Sequence, residues 1–201
     1  MKTPSAPPPL GALAAFVAMI VAQRLAELVL SARHARRLRA CGAREYGARH
    51  FPLLVLVHVL YPLALIGEVL WLGALPDDAW PLWLGVWIGA QILRYAAIRA
   101  PGERWTVRIL VVPGAPLVRS GPYRWMRHPN YIAVALELLA GPMIFGAWRT
   151  AIAISALNAF ALAVRIRVEE RALHGASESR ARLPMTGRRL HAEVQRRVRW
   201  G

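Results

Sequence analysis

Two short stretches hold the residue types that could do chemistry. Arg119 to Tyr131 reads Arg-Ser-Gly-Pro-Tyr-Arg-Trp-Met-Arg-His-Pro-Asn-Tyr, and Arg165 to Glu170 reads Arg-Ile-Arg-Val-Glu-Glu. The first carries three arginines, a histidine and three aromatics between two Gly/Pro-type breaks. It is too polar for a membrane span and too irregular for one plain helix, so a shaped basic loop is expected. In the second, Arg165 and Glu169 stand at i, i+4 on one helix face, with Glu170 turned away by about 100°. On spacing alone, that stretch is equally an ion-paired helix end leaving a bilayer.

The rest of the chain is built to hold such polar patches against a membrane. Its 201 residues are 56% hydrophobic, with a mean hydropathy of +0.34. That length suits one domain, taken as residues 1–201. The formal net charge is +15. Its basic residues sit in blocks between apolar runs and not along one amphipathic face, which argues against nucleic acid and for loops facing anionic lipid. A single cysteine, Cys41, excludes an internal disulfide. No cleavable leader is expected: residues 1–9 are a Pro-rich, unstructured lead-in, and the apolar run that follows is read as a retained span.

Spans are expected at Leu10 to Leu30, Phe51 to Trp71 and Trp80 to Ile98. Arg24 and Glu27, at i, i+3 near the end of the first, are expected to pair and snorkel toward the interface. Ser31 to His50 reads as a basic loop. Pro62 is a tolerated kink in the second span, where His58 and Glu68 are functional candidates by depth, with an outer-interface position the alternative for Glu68. Trp80, Trp83 and Trp87 form an aromatic belt at the entry of the third span. Gly85 and Gly89 there, like Gly67 and Gly73 on the preceding helix, permit close packing within or between chains.

Tyr131 to Phe145 and Ala151 to Val164 are each about 15 residues, or ~22 Å of helix. Charge decides how they connect. Arg124 and Arg127 precede the pair, Arg165 and Arg167 follow it, and positive residues mark one membrane side, so the two must form a hairpin. The expected fold is an all-α integral membrane protein of about five transmembrane helices, ending in a helical hairpin. Its amino terminus lies outside, and its carboxyl terminus and basic loops are cytoplasmic. The hairpin returns Arg165–Glu170 to the side of His128, where the two polar stretches meet.

With these residues in place, the chain resembles the isoprenylcysteine carboxyl methyltransferase family of integral membrane enzymes. The likeness rests on Gly121-Pro122-Tyr123-Arg124-Trp125, Arg127-His128-Pro129-Asn130-Tyr131 and Arg165-Ile166-Arg167-Val168-Glu169-Glu170 with Leu173. Leu93-Arg94 and Trp105-Thr106 resemble the family's lead-in. It covers roughly residues 93–173, the expected catalytic and cofactor core. The resemblance implies a methyltransferase using S-adenosyl-L-methionine, bound between the His-Pro loop and the Glu-Glu helix on the cytoplasmic side. No glycine-rich fingerprint of a soluble dinucleotide fold is present. The cofactor-binding set it implies is Gly121, Tyr123, His128, Pro129, Tyr131, Glu169 and Glu170, and no metal is called for. Carboxylates can accept from ribose hydroxyls or pair with an ammonium, and Tyr123, Trp125 and Tyr131 can face an adenine or a sulfonium.

Methyl transfer to an already ionised oxygen needs alignment more than proton chemistry. An arginine that neutralises and aims the anion therefore suits catalysis, with Arg165 the first candidate and Arg124 the second. Glu137 could line a substrate passage or pair with Arg94. The tail, residues 174–201, departs from the family, with Trp200 its one aromatic, and Leu190, Val194 and Val198 suggest an amphipathic surface helix.

A lipophilic acceptor is expected, entering laterally from the bilayer, and the resemblance implies a prenylcysteine-like carboxylate or an acidic hydroxyl of an alkylpyrone or related polyketide. The Arg/Ala-rich composition resembles that of a bacterial inner-membrane protein. The alternatives are a phospholipid N-methyltransferase, a sterol-reductase-like enzyme using NADPH, and a non-catalytic scaffold whose basic loops bind anionic lipid.

Overall fold

The structure, a computed structural model, describes residues 10–113, 115 and 118–182. The lead-in and the tail positions Leu190, Val194, Val198 and Trp200 lie outside the described residues. Among the described residues the fold is all-α apart from one small strand pair. Among the described residues, five α-helices run α1 Leu10–Ala40, α2 Phe51–Trp71, α3 Trp80–Arg99, α4 Pro129–Ile144 and α5 Trp148–Arg182. By length and composition α1, α2 and α5 can each cross a membrane, and α4 is a shorter apolar helix.

The helices depart from the expected spans at the end of α1 and at both ends of α4 and α5. α1 continues ten residues past Leu30 because the run Ser31–Ala40 is rich in Ala and Arg, strong helix formers, and buries Ser31, Ala35 and Leu38. The expected basic loop is therefore largely helix. What remains of it forms β1, Arg44–Tyr46, antiparallel to β2, Ile109–Val111, in the register Arg44↔Val111, Glu45↔Leu110 and Tyr46↔Ile109. Glu45 binds Arg108 at 2.5 Å and Arg39 at 2.6 Å. The hydrogen bond from Arg108 holds its carboxyl below the usual carboxylate range, Arg39 adding to the effect. Val107 N–H donates to Ser31 Oγ at 3.0 Å, fixing the α3–α4 connection against α1.

Gly73 lies just past α2, not on it. Its φ of 66° ends the helix, and Ala74 N–H closes onto the Glu68 carbonyl at 3.2 Å. The Arg24–Glu27 pair forms at 2.8 Å. It turns inward, however, with Glu27 only 6% exposed, because partners on α3 and α4 offer both residues better solvation than the interface would.

The α4–α5 hairpin is present, with Phe145–Ala147 as its turn. Gly146 takes φ 71°, and a side chain there would run into the Leu75 carbonyl. Buried Glu68 accepts hydrogen bonds from the N–H groups of Arg149 (3.1 Å) and Thr150 (2.6 Å), capping α5. Its place is thus at a helix N-terminus, where a carboxylate is favoured. We expect Gly146→Ala to lower stability by roughly 2–3 kcal/mol, from left-handed strain plus overpacking, read as a lower unfolding midpoint in detergent.

Candidate functional site

The site is assembled at the end of the bundle that also carries β1 and β2. His128 precedes α4 with φ −129° and ψ 59°, and Pro129, fully buried, opens the helix at a position where a missing N–H costs nothing. The His128 carbonyl accepts from Tyr131 N–H at 3.1 Å, so the His-Pro step sets the angle at which Tyr131 leaves the first turn.

Tyr131 reaches across to α5. Arg165 Nε–H donates to its hydroxyl oxygen at 2.7 Å, and that hydroxyl donates to Glu169 Oε2. The i, i+4 spacing of Arg165 and Glu169 places a cation and an anion on either side of one neutral hydroxyl. Arg165 is 7% exposed. Its guanidinium carbon stands 5.5 Å from the Tyr131 ring centre, and the His128 ring stacks on Tyr131 at 5.2 Å with a 10° tilt. His128 Nε2 and Glu170 Oε1 are 3.7 Å apart. That is too long for a direct hydrogen bond and suits a third polar atom bonded to both.

The loop ahead of His128 folds onto the end of α3. Gly121 has φ 54°, and a Cβ there would stand 3.0 Å from the Ala100 Cβ, so this turn needs glycine. Ser120 Oγ donates to the Ala100 carbonyl at 3.1 Å, and the Tyr123 hydroxyl donates to Ala97 O at 3.2 Å. Burial pushes the Tyr123 hydroxyl up to about 12, with nearby Glu169 adding to the shift, so it remains a donor at neutral pH.

Tyr131, His128, Arg165, Glu169 and Glu170 are therefore brought together, with Pro129 and Gly121 shaping the backbone and Tyr123 beside the α3 end. Arg124 is set apart. It is exposed, its guanidinium 5.7 Å from the ring of Trp125, itself 79% exposed. Sequence reading passed over Asn130, whose Oδ1 is buried with no hydrogen-bond partner among the described residues. Its position between Pro129 and Tyr131 was the available signal. Glu137 bonds Arg94 at 2.8 Å, the pairing alternative.

The model of the isoprenylcysteine carboxyl methyltransferase (ICMT) family matches residues 83–175, which include α4, the loop before it and the site half of α5. The chain is 41% identical over 157 residues to the Bacillus subtilis (strain 168) "Uncharacterized protein YpbQ", a match spanning 78% of this chain and 94% of that one. An "Uncharacterized protein" of Haemophilus influenzae is 34% identical over 157 residues, 78% of this chain and 91% of the relative. No solved structure matches the chain. With that family model matching residues 83–175 and relatives matched along most of their length, the chain belongs to the isoprenylcysteine carboxyl methyltransferase family.

Proposed function

We propose that the protein is an S-adenosyl-L-methionine-dependent methyltransferase that O-methylates a carboxylate or acidic hydroxyl of a lipophilic acceptor. The observation that carries this reading is the Arg165–Tyr131–Glu169 chain of hydrogen bonds between α4 and α5, with His128 and Glu170 alongside. The donor and acceptor set fits the cofactor: two carboxylates for hydroxyls or an ammonium, an imidazole, stacked rings, and the orphaned Asn130 acceptor.

The cofactor would supply an electrophilic methyl carbon. The chain's own residues have to bring an ionised oxygen into line and exclude water. Arg165 spends only Nε on Tyr131 among the described residues, which leaves its two terminal nitrogens to neutralise and aim an anion. Tyr131 holds that guanidinium in place and is in turn held by Glu169. No general base is required when the acceptor is already ionised.

Positive residues mark the cytoplasmic side, and Arg33, Arg36, Arg44, Arg119 and Arg127 are exposed at the site end. We place that end in the cytoplasm of a bacterial inner membrane, with the amino terminus outside. An acceptor with a long apolar chain would reach the site laterally. Prenylcysteine-like acids and alkylpyrone-like enols both meet the requirement for an anion on a lipid-soluble body.

Thermal unfolding and calorimetry of detergent-purified protein with S-adenosylhomocysteine and with NADP test the reading. Stabilisation of about 2.7 kcal/mol is expected with S-adenosylhomocysteine at a hundred times its dissociation constant, and none with NADP. A folded protein indifferent to S-adenosylhomocysteine would sink the proposal, and a response to NADP would favour a reductase. Labelling with methyl-labelled cofactor then separates long-chain hydroxypyrones, prenylcysteine analogues and phosphatidylethanolamine as acceptors.

A further inference from the structure

We propose that the ion cluster of Arg24, Glu27, Arg94 and Glu137 is the positioning element of the methyl-transfer site, fixing the axial register of α3 against α4. This inference rests on the function proposed above. The cluster joins three helices. Arg94 of α3 grips Glu27 of α1 with both sides of its fork, Nε to Oε1 at 2.6 Å and Nη2 to Oε2 at 2.5 Å, while Nη1 donates to Glu137 Oε2 of α4 at 2.8 Å. Arg24 repeats the bridge, Nη1 to Glu27 at 2.8 Å and Nη2 to Glu137 at 2.7 Å. Gln91 donates to the remaining Glu137 oxygen at 2.5 Å and accepts from Gln23 at 2.8 Å.

Two cations balance two anions, and every carboxylate oxygen has a donor. Even so, stability alone does not account for the cluster. Replacing a buried ion group with apolar side chains of similar volume is often neutral or stabilising. What ions add is direction. The planar fork of Arg94 meets Glu27 and Glu137 together at one register only, because a slip of a single residue displaces it by about 1.5 Å along the helix. An apolar contact would tolerate that slip.

The register matters because the Gly121–Tyr123 turn rests on the end of α3 while His128 and Tyr131 belong to the start of α4, and these two helices pack closely on each other. Ala97 and Ala100, one and two turns beyond Arg94, hold Tyr123 and Ser120. Tyr131 lies about 9 Å along α4 from Glu137 and on a different face, turned toward Arg165 and Glu169. A shift of α3 against α4 would thus move the Gly121–Tyr123 turn relative to His128 and Tyr131. None of the four charges needs to touch cofactor or acceptor.

Two variants in lipid nanodiscs test this, with the unfolding midpoint and the S-adenosylhomocysteine dissociation constant as paired readouts. The apolar set Arg24→Leu, Glu27→Leu, Arg94→Met and Glu137→Leu is expected to keep or raise the midpoint yet to bind at least about tenfold more weakly, as misplaced binding groups do. Glu137→Asp keeps the charge, withdraws it by one methylene, and is expected to weaken binding about tenfold with little change in midpoint. An apolar set that binds like the parent would show the cluster to be replaceable packing and overturn the proposal. Should that set fail to fold, parent-like binding by Glu137→Asp overturns it equally. A parent that does not bind S-adenosylhomocysteine is a separate result, visible before any variant is made. It would remove the function and this inference together.

Discussion

Arg165→Met should reduce methyl transfer to a long-chain hydroxypyrone or prenylcysteine analogue by about 10²- to 10³-fold while leaving S-adenosylhomocysteine affinity within about threefold. The expectation follows from where the guanidinium sits. Arg165 is almost fully buried, its Nε is committed to the Tyr131 hydroxyl, and the rest of the fork has no other partner among the described residues. A buried cation held by a neutral hydroxyl and adjoining carboxylates can receive a second anion at little reorganisation cost, which is how a preorganised group favours a reacting oxyanion. Methionine keeps most of the length and apolar bulk, so packing between α4 and α5 should survive. Arg165→Lys should recover only part of the rate, because an ammonium that bonds Tyr131 cannot also present a planar fork. Were Arg165 merely an ion-paired helix end, both variants would turn over at the parental rate and only the unfolding midpoint would move.

The sequence made α2 legible to the residue and α3 to within one, because each is a long apolar run bounded by Pro, Gly or charge. The hairpin was legible as well: Gly146 breaks the pattern, and the arginines at both ends demand a return to one side. The meeting of the two polar stretches could be read for the same reason, since each carries its residue types at fixed local spacing, His128-Pro129 and Arg165/Glu169. Two features were not readable. β1 and β2 are three residues each and lie more than sixty positions apart, so neither alternation nor a hairpin turn announces their pairing. The α1–α3–α4 ion cluster is equally non-local. Arg24 with Glu27, and Gln91 with Arg94, look like ordinary interface pairs within their own helices. The sequence offered the Arg94–Glu137 pairing as one of two alternatives, and only the packed bundle shows that Arg24, Glu27 and Gln91 join it.

Glu169 separates two ways of holding the cofactor, and its substitutions should resolve them. Glu169→Ala should weaken S-adenosylhomocysteine binding at least about tenfold, in line with ~1.5–3 kcal/mol for a hydrogen bond to a charged group. It also releases Tyr131, whose hydroxyl would keep only Arg165, so a rate loss beyond the affinity loss is expected. Glu169→Gln is the sharper variant. It retains an oxygen that can accept from the Tyr131 hydroxyl and from a ribose hydroxyl, but it removes the charge that an ammonium would require. Affinity close to the parent in Gln but not in Ala would assign Glu169 to hydroxyl recognition and leave the ammonium to Glu170. Equal losses in both would place the ammonium on Glu169. Tyr131→Phe controls for the shared hydroxyl: it should cost turnover through Arg165 while binding changes little, since the ring stacked on His128 remains. Calorimetry on these variants that returned the parental affinity for both Glu169→Ala and Glu169→Gln would remove Glu169 from the site, and with it the hydrogen-bonded chain on which the functional reading stands.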